Sequence, residues 1–275
     1  MSICAPKPFG SKFLKGGYSY WPLWWYGQRD KLHDMSGHGF DLTPSGAYFD
    51  GQGYYFDGSD DYLVDAGGRR VLQKGTQGSW HSVYLTEGEV PVEGSVRGTG
   101  TRLVFNNDFS EPRLTGSLVL HSEYCPNLTY LECRRNLLTT IKLYKLPSLT
   151  EVNCNSNILT ASNFNLYGLT SLQNLYCYYN PLGSLDVTGL ISLYRLYCYS
   201  NQLVFLDVSA VSTLKYLYCN NNHMNQDMVD TVLCDMDSHG TSNGTLNISG
   251  NEAPSATGVA CKDNLVARGW SVTTD

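Results

Sequence analysis

The pattern L-x-x-L/V-x-C-x-x-N-x-L/M occurs five times in this chain of 275 residues, starting at Leu128, Leu149, Leu172, Leu193 and Leu214. The asparagines of successive copies are 21, 23, 21 and 21 residues apart. A period near twenty predicts a solenoid, because one turn of this length cannot bury its apolar edge alone and must stack on the next. We therefore expect a protein built to present an extended surface.

Each copy predicts a short strand followed by a buried asparagine. In the third copy, alternation places Leu175 and Cys177 inward and their neighbours outward. The asparagine that closes the strand should bond backbone groups of the adjacent turn, which would otherwise be buried without partners. This spacing is typical of leucine-rich repeats. The predicted inward ladder comprises Cys133, Cys154, Cys177, Cys198 and Cys219, with Asn136, Asn157, Asn180, Asn201 and Asn222.

The cysteine count of nine invites a metal or disulfide interpretation. We favour a ladder of small apolar side chains for the five repeat cysteines, since zinc sites use cysteine pairs two to four residues apart. No partner can be assigned from the sequence to the other four, which are Cys4, Cys125, Cys234 and Cys261. A row of free thiols predicts assembly in a reducing compartment.

The residues after 224 predict a cover for the last turn. An amphipathic helix is expected over 225–237, and a second over about 255–268 with Val259, Leu265 and Val266 on one side. The strings SGNEAPS, from Ser249, and LVARGWSVT, from Leu265, resemble the end of bacterial and bacteriophage leucine-rich repeat proteins. With the cysteine-bearing repeats, this resemblance covers about residues 114–275.

Residues 1–110 are rich in Gly, Trp and Tyr and carry frequent turn signals, which predict an all-β segment of short strands. The strings DMSGHGFDLT, from Asp34, and YYFDGSDDYLV, from Tyr54, resemble the opening of concanavalin-like (laminin-G-like) jelly rolls. We thus expect a mainly β protein with a docking arm at 1–20, a small jelly-roll-like domain at 21–113, leucine-rich repeats at 114–224 and a helical cap at 225–275.

Two clusters in this first segment have alternative interpretations. Asp57, Asp60 and Asp61 could hold calcium, which prefers several oxygen ligands, but the spacing lacks the calcium-loop signature and favours a polar hairpin turn. Trp21, Trp24 and their aromatic neighbours could stack on a sugar, or form the core or a docking surface of a small β domain. No cofactor is expected.

Charge and motifs narrow the class of function. The formal net charge of -6 and the lack of a basic run argue against nucleic acid, and no apolar stretch is long enough for a membrane span. The first residues lack the apolar region of a signal peptide. No nucleophile, metalloprotease or phosphate-loop motif is present, so we do not expect an enzyme.

The outward positions of the repeats predict recognition instead. Stacking in register aligns tyrosines into columns that suit contact with proteins or glycans, although tyrosine also favours strands for its own packing. The expected partner is a neighbouring subunit or a host-surface ligand, within a homo-oligomer or a multi-subunit particle. We expect a bacteriophage virion surface protein, with a bacterial surface adhesin or a cytoplasmic scaffold as alternatives. The predicted binding residues are Tyr176, Tyr178, Arg195, Tyr197, Tyr199, Tyr216 and Tyr218.

Overall fold

The computed structural model describes residues 100–106, 113–123 and 125–275 in full, and within 21–98 only the backbone of individual strands. The first eight strands are β1 (Trp21–Pro22), β2 (Thr43–Ser45), β3 (Tyr48–Phe49), β4 (Tyr54–Asp57), β5 (Tyr62–Val64), β6 (Arg70–Leu72), β7 (Gln77–Val83) and β8 (Val96–Gly98). The strands of the repeat region are β9 (Arg102–Val104), β10 (Thr115–His121), β11 (Tyr130–Glu132), β12 (Leu137–Tyr144), β13 (Glu151–Asn153), β14 (Phe164–Asn165), β15 (Asn174–Tyr176), β16 (Arg195–Tyr197) and β17 (Tyr216–Tyr218). The cap consists of helix α1 (Gln226–Ser238), β18 (Thr245–Asn247), helix α2 (Ala256–Ala267) and β19 (Ser271–Thr273).

A single parallel sheet runs through the repeats and the cap. Its strands follow the order β9-β11-β13-β15-β16-β17-β18-β19, and each pairs in parallel with the next. The register repeats without a slip, so that Leu175 pairs with Leu196 and Leu196 with Leu217. This is the leucine-rich-repeat-like solenoid that the period predicts.

The sheet begins before the predicted boundary at residue 114. Strand β9 pairs in parallel with β11, with Leu103 opposite Leu131. Strands β9 and β10 therefore add one turn to the solenoid, and Phe105 is buried near the position that later turns give to cysteine. A second parallel sheet, β10-β12-β14, lies on the return side of the first turns.

The asparagines connect each turn to the one before it. Nδ2 of Asn201 donates to the carbonyl oxygens of Cys177 at 3.2 Å and Cys198 at 2.7 Å, and its Oδ1 accepts from the backbone N–H of Asn180 at 3.1 Å. One amide thus satisfies two carbonyls and one N–H that are shut off from water. Equivalent bonds are made by Asn136, Asn157, Asn180, Asn222 and, in the cap, Asn251.

The residue before each ladder asparagine adopts a left-handed backbone. The φ angles lie between 53° and 60° at the five repeat positions, although none is a glycine. Such a residue costs on the order of 1 kcal/mol, which the bonds of the following asparagine offset. The five residues are Arg135, Ser156, Tyr179, Ser200 and Asn221.

The cysteine column fills the centre of the coil. All five repeat cysteines have 0% exposure and are free thiols. Burial raises the pKa of each well above its ordinary value, to about 12 for Cys198. A buried, protonated thiol neither oxidises readily nor exchanges with solution. Burial by itself therefore accounts for the free state of these thiols in the folded chain, and the reducing compartment stays a prediction.

The two cap helices lie where the sequence predicts them. They are joined by a disulfide that could not be assigned from the sequence. Cys234 in α1 is bonded to Cys261 in α2 across 27 residues of sequence. Their approach depends on a glycine, because Gly258 lies so close to the Asp230 side chain that a Cβ would overlap it. Asp230 also accepts a 2.9 Å hydrogen bond from the backbone N–H of Ser255, the residue that caps α2.

The predicted inward face of α2 is wrong in part. Leu265 is buried, but Val259 is 42% and Val266 50% exposed. Contact with α1 is made through Gly258 and through Cys261, which turns the two valines away from the core.

The early strands pair mainly with one another. Strand β7 runs antiparallel to β1, β4 and β8 and meets β9 at one position, while β2, β5 and β6 form a separate antiparallel sheet. The predicted docking arm lies outside the described residues. So do the side chains of the calcium candidates Asp57, Asp60 and Asp61 and of the tryptophan cluster.

Candidate binding face

The register of the parallel sheet sets out the exposed side chains in rows. The first strand position carries Arg102, Tyr130, Glu151, Asn174, Arg195 and Tyr216 in successive turns. From β11 onward the third position carries Glu132, Asn153, Tyr176, Tyr197 and Tyr218, whereas Val104 at the same register of β9 is buried. The face therefore changes along the solenoid from charged and amide side chains to tyrosines.

We define the tyrosine face as the eight tyrosines on and beside β15, β16 and β17. Within it, the rings of Tyr178 and Tyr199 are stacked with their centroids 4.4 Å apart and their planes 10° apart. Tyr197 meets Tyr176 edge to face at 5.1 Å and Tyr218 at 4.5 Å with the ring planes tilted by 53°. Such pairs contribute about 0.5–1.5 kcal/mol each beyond their area of burial, so the rings hold one another in place. The members are Tyr176, Tyr178, Tyr179, Tyr194, Tyr197, Tyr199, Tyr216 and Tyr218.

The earlier turns form a polar region whose charges pair internally. Glu132 accepts a 2.6 Å hydrogen bond from the Tyr130 hydroxyl and forms an ion pair with Arg134 at 2.8 Å. The guanidinium of Arg102 lies 3.7 Å from the centre of the Tyr130 ring. Glu132 and Arg134 thus neutralise each other's charge, which leaves less of it for a partner.

Arg195 connects the two regions. Its Nη1 donates to Oδ1 of Asn174 at 3.2 Å, and Asn174 donates in turn to Glu151 at 3.1 Å. Its guanidinium carbon also lies 4.9 Å from the ring centres of both Tyr194 and Tyr216. A guanidinium next to two aromatic rings is attracted to both and loses much of its freedom.

Burial keeps the phenols of this face protonated. It raises the pKa of Tyr176, Tyr197 and Tyr199 above the ordinary value, and neighbouring phenols raise it further, together with Glu151 in the case of Tyr176. The charge of Arg195 acts in the opposite direction on Tyr176 and Tyr197, without reversing the shift. These hydroxyls therefore remain neutral hydrogen-bond donors and acceptors at physiological pH.

The structure brings all seven sequence-predicted binding residues onto one face, and it adds others. Tyr179 is 55% exposed and packs edge-on against Tyr178 and Tyr199. Tyr194 lies just before β16, where its ring meets that of Tyr216 at 5.3 Å. Both fall outside the strand alternation used to select exposed positions, although the tyrosine-rich strings YCYYN and YRLYCYSN contain them.

Two kinds of site are absent from the part of the chain that the structure describes. No group of three or more His, Cys, Asp or Glu side chains is placed to hold a metal ion among residues 100–106, 113–123 and 125–275. Over the described residues, no helix combines the length and apolar character that crossing a membrane requires.

Comparison with known proteins adds a distant structural likeness. No family model matches this sequence. No curated protein matches it either. Among solved structures, the chain is similar to an internalin from Listeria monocytogenes, at 18% sequence identity and a TM-score of 0.38. The likeness covers 58% of this chain and 47% of the internalin chain, so this chain spans about half of that protein. Because this likeness is so distant, the solenoid fold is identified by the repeat and the strand register alone.

Proposed function

We propose that this chain is a non-catalytic binding protein that contacts a protein partner through the tyrosine face. One observation carries the proposal, which is the concentration of eight tyrosines on three successive turns of one sheet. A partner would meet large, pre-packed side chains that lose little conformational freedom on binding. Tyrosine is also enriched among the residues that contribute most to the affinity of protein interfaces.

The ring geometry favours a protein over a glycan. A sugar stacks on an open ring face, but Tyr178 and Tyr199 each cover one face of the other. Tyr176 meets Tyr197 edge-on, so one ring face of that pair is covered as well. Such packing leaves ring edges, hydroxyl groups and only part of the ring faces for a ligand, and this mixture suits the polar and apolar surface of a folded protein.

We further propose that the chain acts on the surface of a bacteriophage virion, as a structural or adhesive component. The support is the resemblance of the repeats and of the SGNEAPS and LVARGWSVT strings to bacterial and bacteriophage repeat proteins. The partner would then be a neighbouring subunit of the particle or a protein on the host surface.

A triple substitution of Tyr176, Tyr197 and Tyr218 by Ser tests the proposal. All three side chains point away from the core, so the variant should remain folded, while partner binding should weaken by about 2–4 kcal/mol. The measurements are incorporation of the variant into particles and adsorption of those particles to host cells. Loss of incorporation points to a neighbouring subunit, and loss of adsorption alone points to the host protein.

A matched control removes exposed tyrosine outside the face. Tyr144 and Tyr167 lie on the return side of the coil, and Tyr167 is 70% exposed. The Tyr144→Ser, Tyr167→Ser double variant should behave like the parent in both assays. If the triple variant also incorporates and adsorbs normally, the tyrosines serve only to pack the strands and the proposed function is wrong.

A further inference from the structure

Arg195 has a position that differs from that of Arg134, another arginine on this face of the sheet. Arg134 is neutralised by the carboxylate of Glu132 at 2.8 Å. No carboxylate of the described residues forms an ion pair with Arg195. The nearest acidic partner, Glu151, is reached only through the Asn174 amide.

The donor capacity of Arg195 is only partly used. A guanidinium carries five N–H donors in a planar fork. Asn174 is the one hydrogen-bond acceptor that the described part of the chain offers it. The remaining donors are held in place, since the group is restrained by Asn174 and by the rings of Tyr194 and Tyr216. A restrained, half-buried guanidinium binds an anion at a lower entropic cost than a free surface arginine does.

The groups around Arg195 reinforce a site for an anion. On the outward side of the sheet, Tyr197 lies two residues after Arg195 in β16, and Tyr176 pairs with Tyr197 from β15. Protonated hydroxyls can donate to the same anion as the guanidinium. The negative charge of Glu151, linked through Asn174, disfavours a dianion such as a phosphate group. A single carboxylate suits both the fork and this local charge.

We propose that Arg195 determines the specificity of the tyrosine face by binding an aspartate or glutamate side chain of the protein partner. The inference rests on the proposed function, because it names the chemistry that the partner presents to that face. The partner would place a carboxylate over Arg195 and apolar or aromatic side chains around it, against the tyrosine edges. The ion-paired region of Arg134 and Glu132 would contribute little to selectivity.

A displayed library of random twelve-residue peptides provides a probe that works whichever protein the partner is. The library is selected on the full chain, and the recovered peptides are measured on Arg195→Gln, Arg195→Lys, Arg134→Gln and the triple tyrosine variant. Arg195→Gln removes the charge while it keeps a polar N–H donor at this position. Thermal unfolding of each variant confirms that the fold is retained.

We expect peptides enriched in Asp or Glu beside apolar residues. Their affinity should fall by roughly tenfold or more on Arg195→Gln, by less on Arg195→Lys, and by no more than about twofold on Arg134→Gln. Peptides that require the tyrosines but show no acidic enrichment, and that bind Arg195→Gln normally, would overturn this inference alone. Recovery of no peptide, or only of peptides indifferent to the triple tyrosine substitution, would overturn the proposed function together with it.

Discussion

The two sides of the same short strands follow different rules. Inward positions hardly vary from turn to turn, as Leu175, Leu196 and Leu217 stack beside Cys177, Cys198 and Cys219. Outward positions change from Glu132 and Asn153 to tyrosine along one row. The inward side must fit an identical neighbour every 21 residues or so, whereas the outward side faces only solvent or a partner. The constant inward residues thus identify the fold. The change in composition along the outward rows indicates where the candidate site lies.

The largest expected effect is that of alkaline pH on stability, because it acts on the inward-facing thiols. Thiols of the unfolded chain ionise near pH 8.5, while the five buried thiols keep their protons because their pKa values are raised. The unfolded state then binds fewer protons, so the free energy of unfolding falls as pH rises. The slope should reach about 1.4 kcal/mol per pH unit for each thiol, or about 7 kcal/mol for five.

Urea denaturation between pH 7.5 and 10 measures this slope. Replacing Cys177 with Ala removes one titrating group, and the slope should decrease by about a fifth. A stability that stays constant up to pH 10 would mean that the five thiols are not buried together as the structure places them.

The next largest effect is expected from the asparagine ladder. Asn201→Ala leaves the N–H of Asn180 without its partner. It also removes one of the two amide hydrogen bonds that each of the carbonyls of Cys177 and Cys198 accepts, since Asn180 and Asn222 supply the other. An unsatisfied buried N–H costs about 1–3 kcal/mol and each lost hydrogen bond about 1 kcal/mol, so we expect a loss of about 3 kcal/mol in the free energy of unfolding. Chemical denaturation at neutral pH provides the measurement.

Asn220→Ala is the matched control on the outward side. Within the described residues, the Oδ1 of Asn220 has no hydrogen-bond partner, so its removal should change stability by less than about 0.5 kcal/mol. Equal losses for Asn201→Ala and Asn220→Ala would remove the distinction between the two sides of the strand.

The smallest expected difference in stability is between substitutions at two neighbouring residues of one turn. Cys177→Ser places an unpartnered hydroxyl in the core and should cost about 2 kcal/mol. Tyr176→Ser removes one edge-to-face contact with Tyr197 and should cost less than about 1 kcal/mol. In a binding assay we expect the opposite ranking. Tyr176→Ser should weaken partner binding more than Cys177→Ser does, since only Tyr176 lies on the tyrosine face. If Tyr176→Ser is the more destabilising change, strand packing accounts for the tyrosines better than recognition does.

The sequence predicted the features that depend on the period. The burial of Cys133 through Cys219, the bonding of the ladder asparagines and the outward columns of tyrosine all follow from one repeating strand stacked in register. The first turn was missed because Leu103 precedes its partner Leu131 by 28 residues, which departs from the period of the later turns. In addition, the cysteine position of this turn is occupied by Phe105. Tyr179 and Tyr194 were missed because they lie beside the strand, outside its alternation.

The sequence by itself determined the solenoid, its register and the identity of the inward ladder. These are local properties of a unit that must match its own copy, so they can be counted along the chain. Only the tertiary structure decided that Cys234 bonds to Cys261, that α2 turns Val259 and Val266 outward, and that Arg195 is held by Asn174, Tyr194 and Tyr216. Each of these depends on side chains that meet across neighbouring turns or helices, and such meetings leave no repeating signal in the sequence.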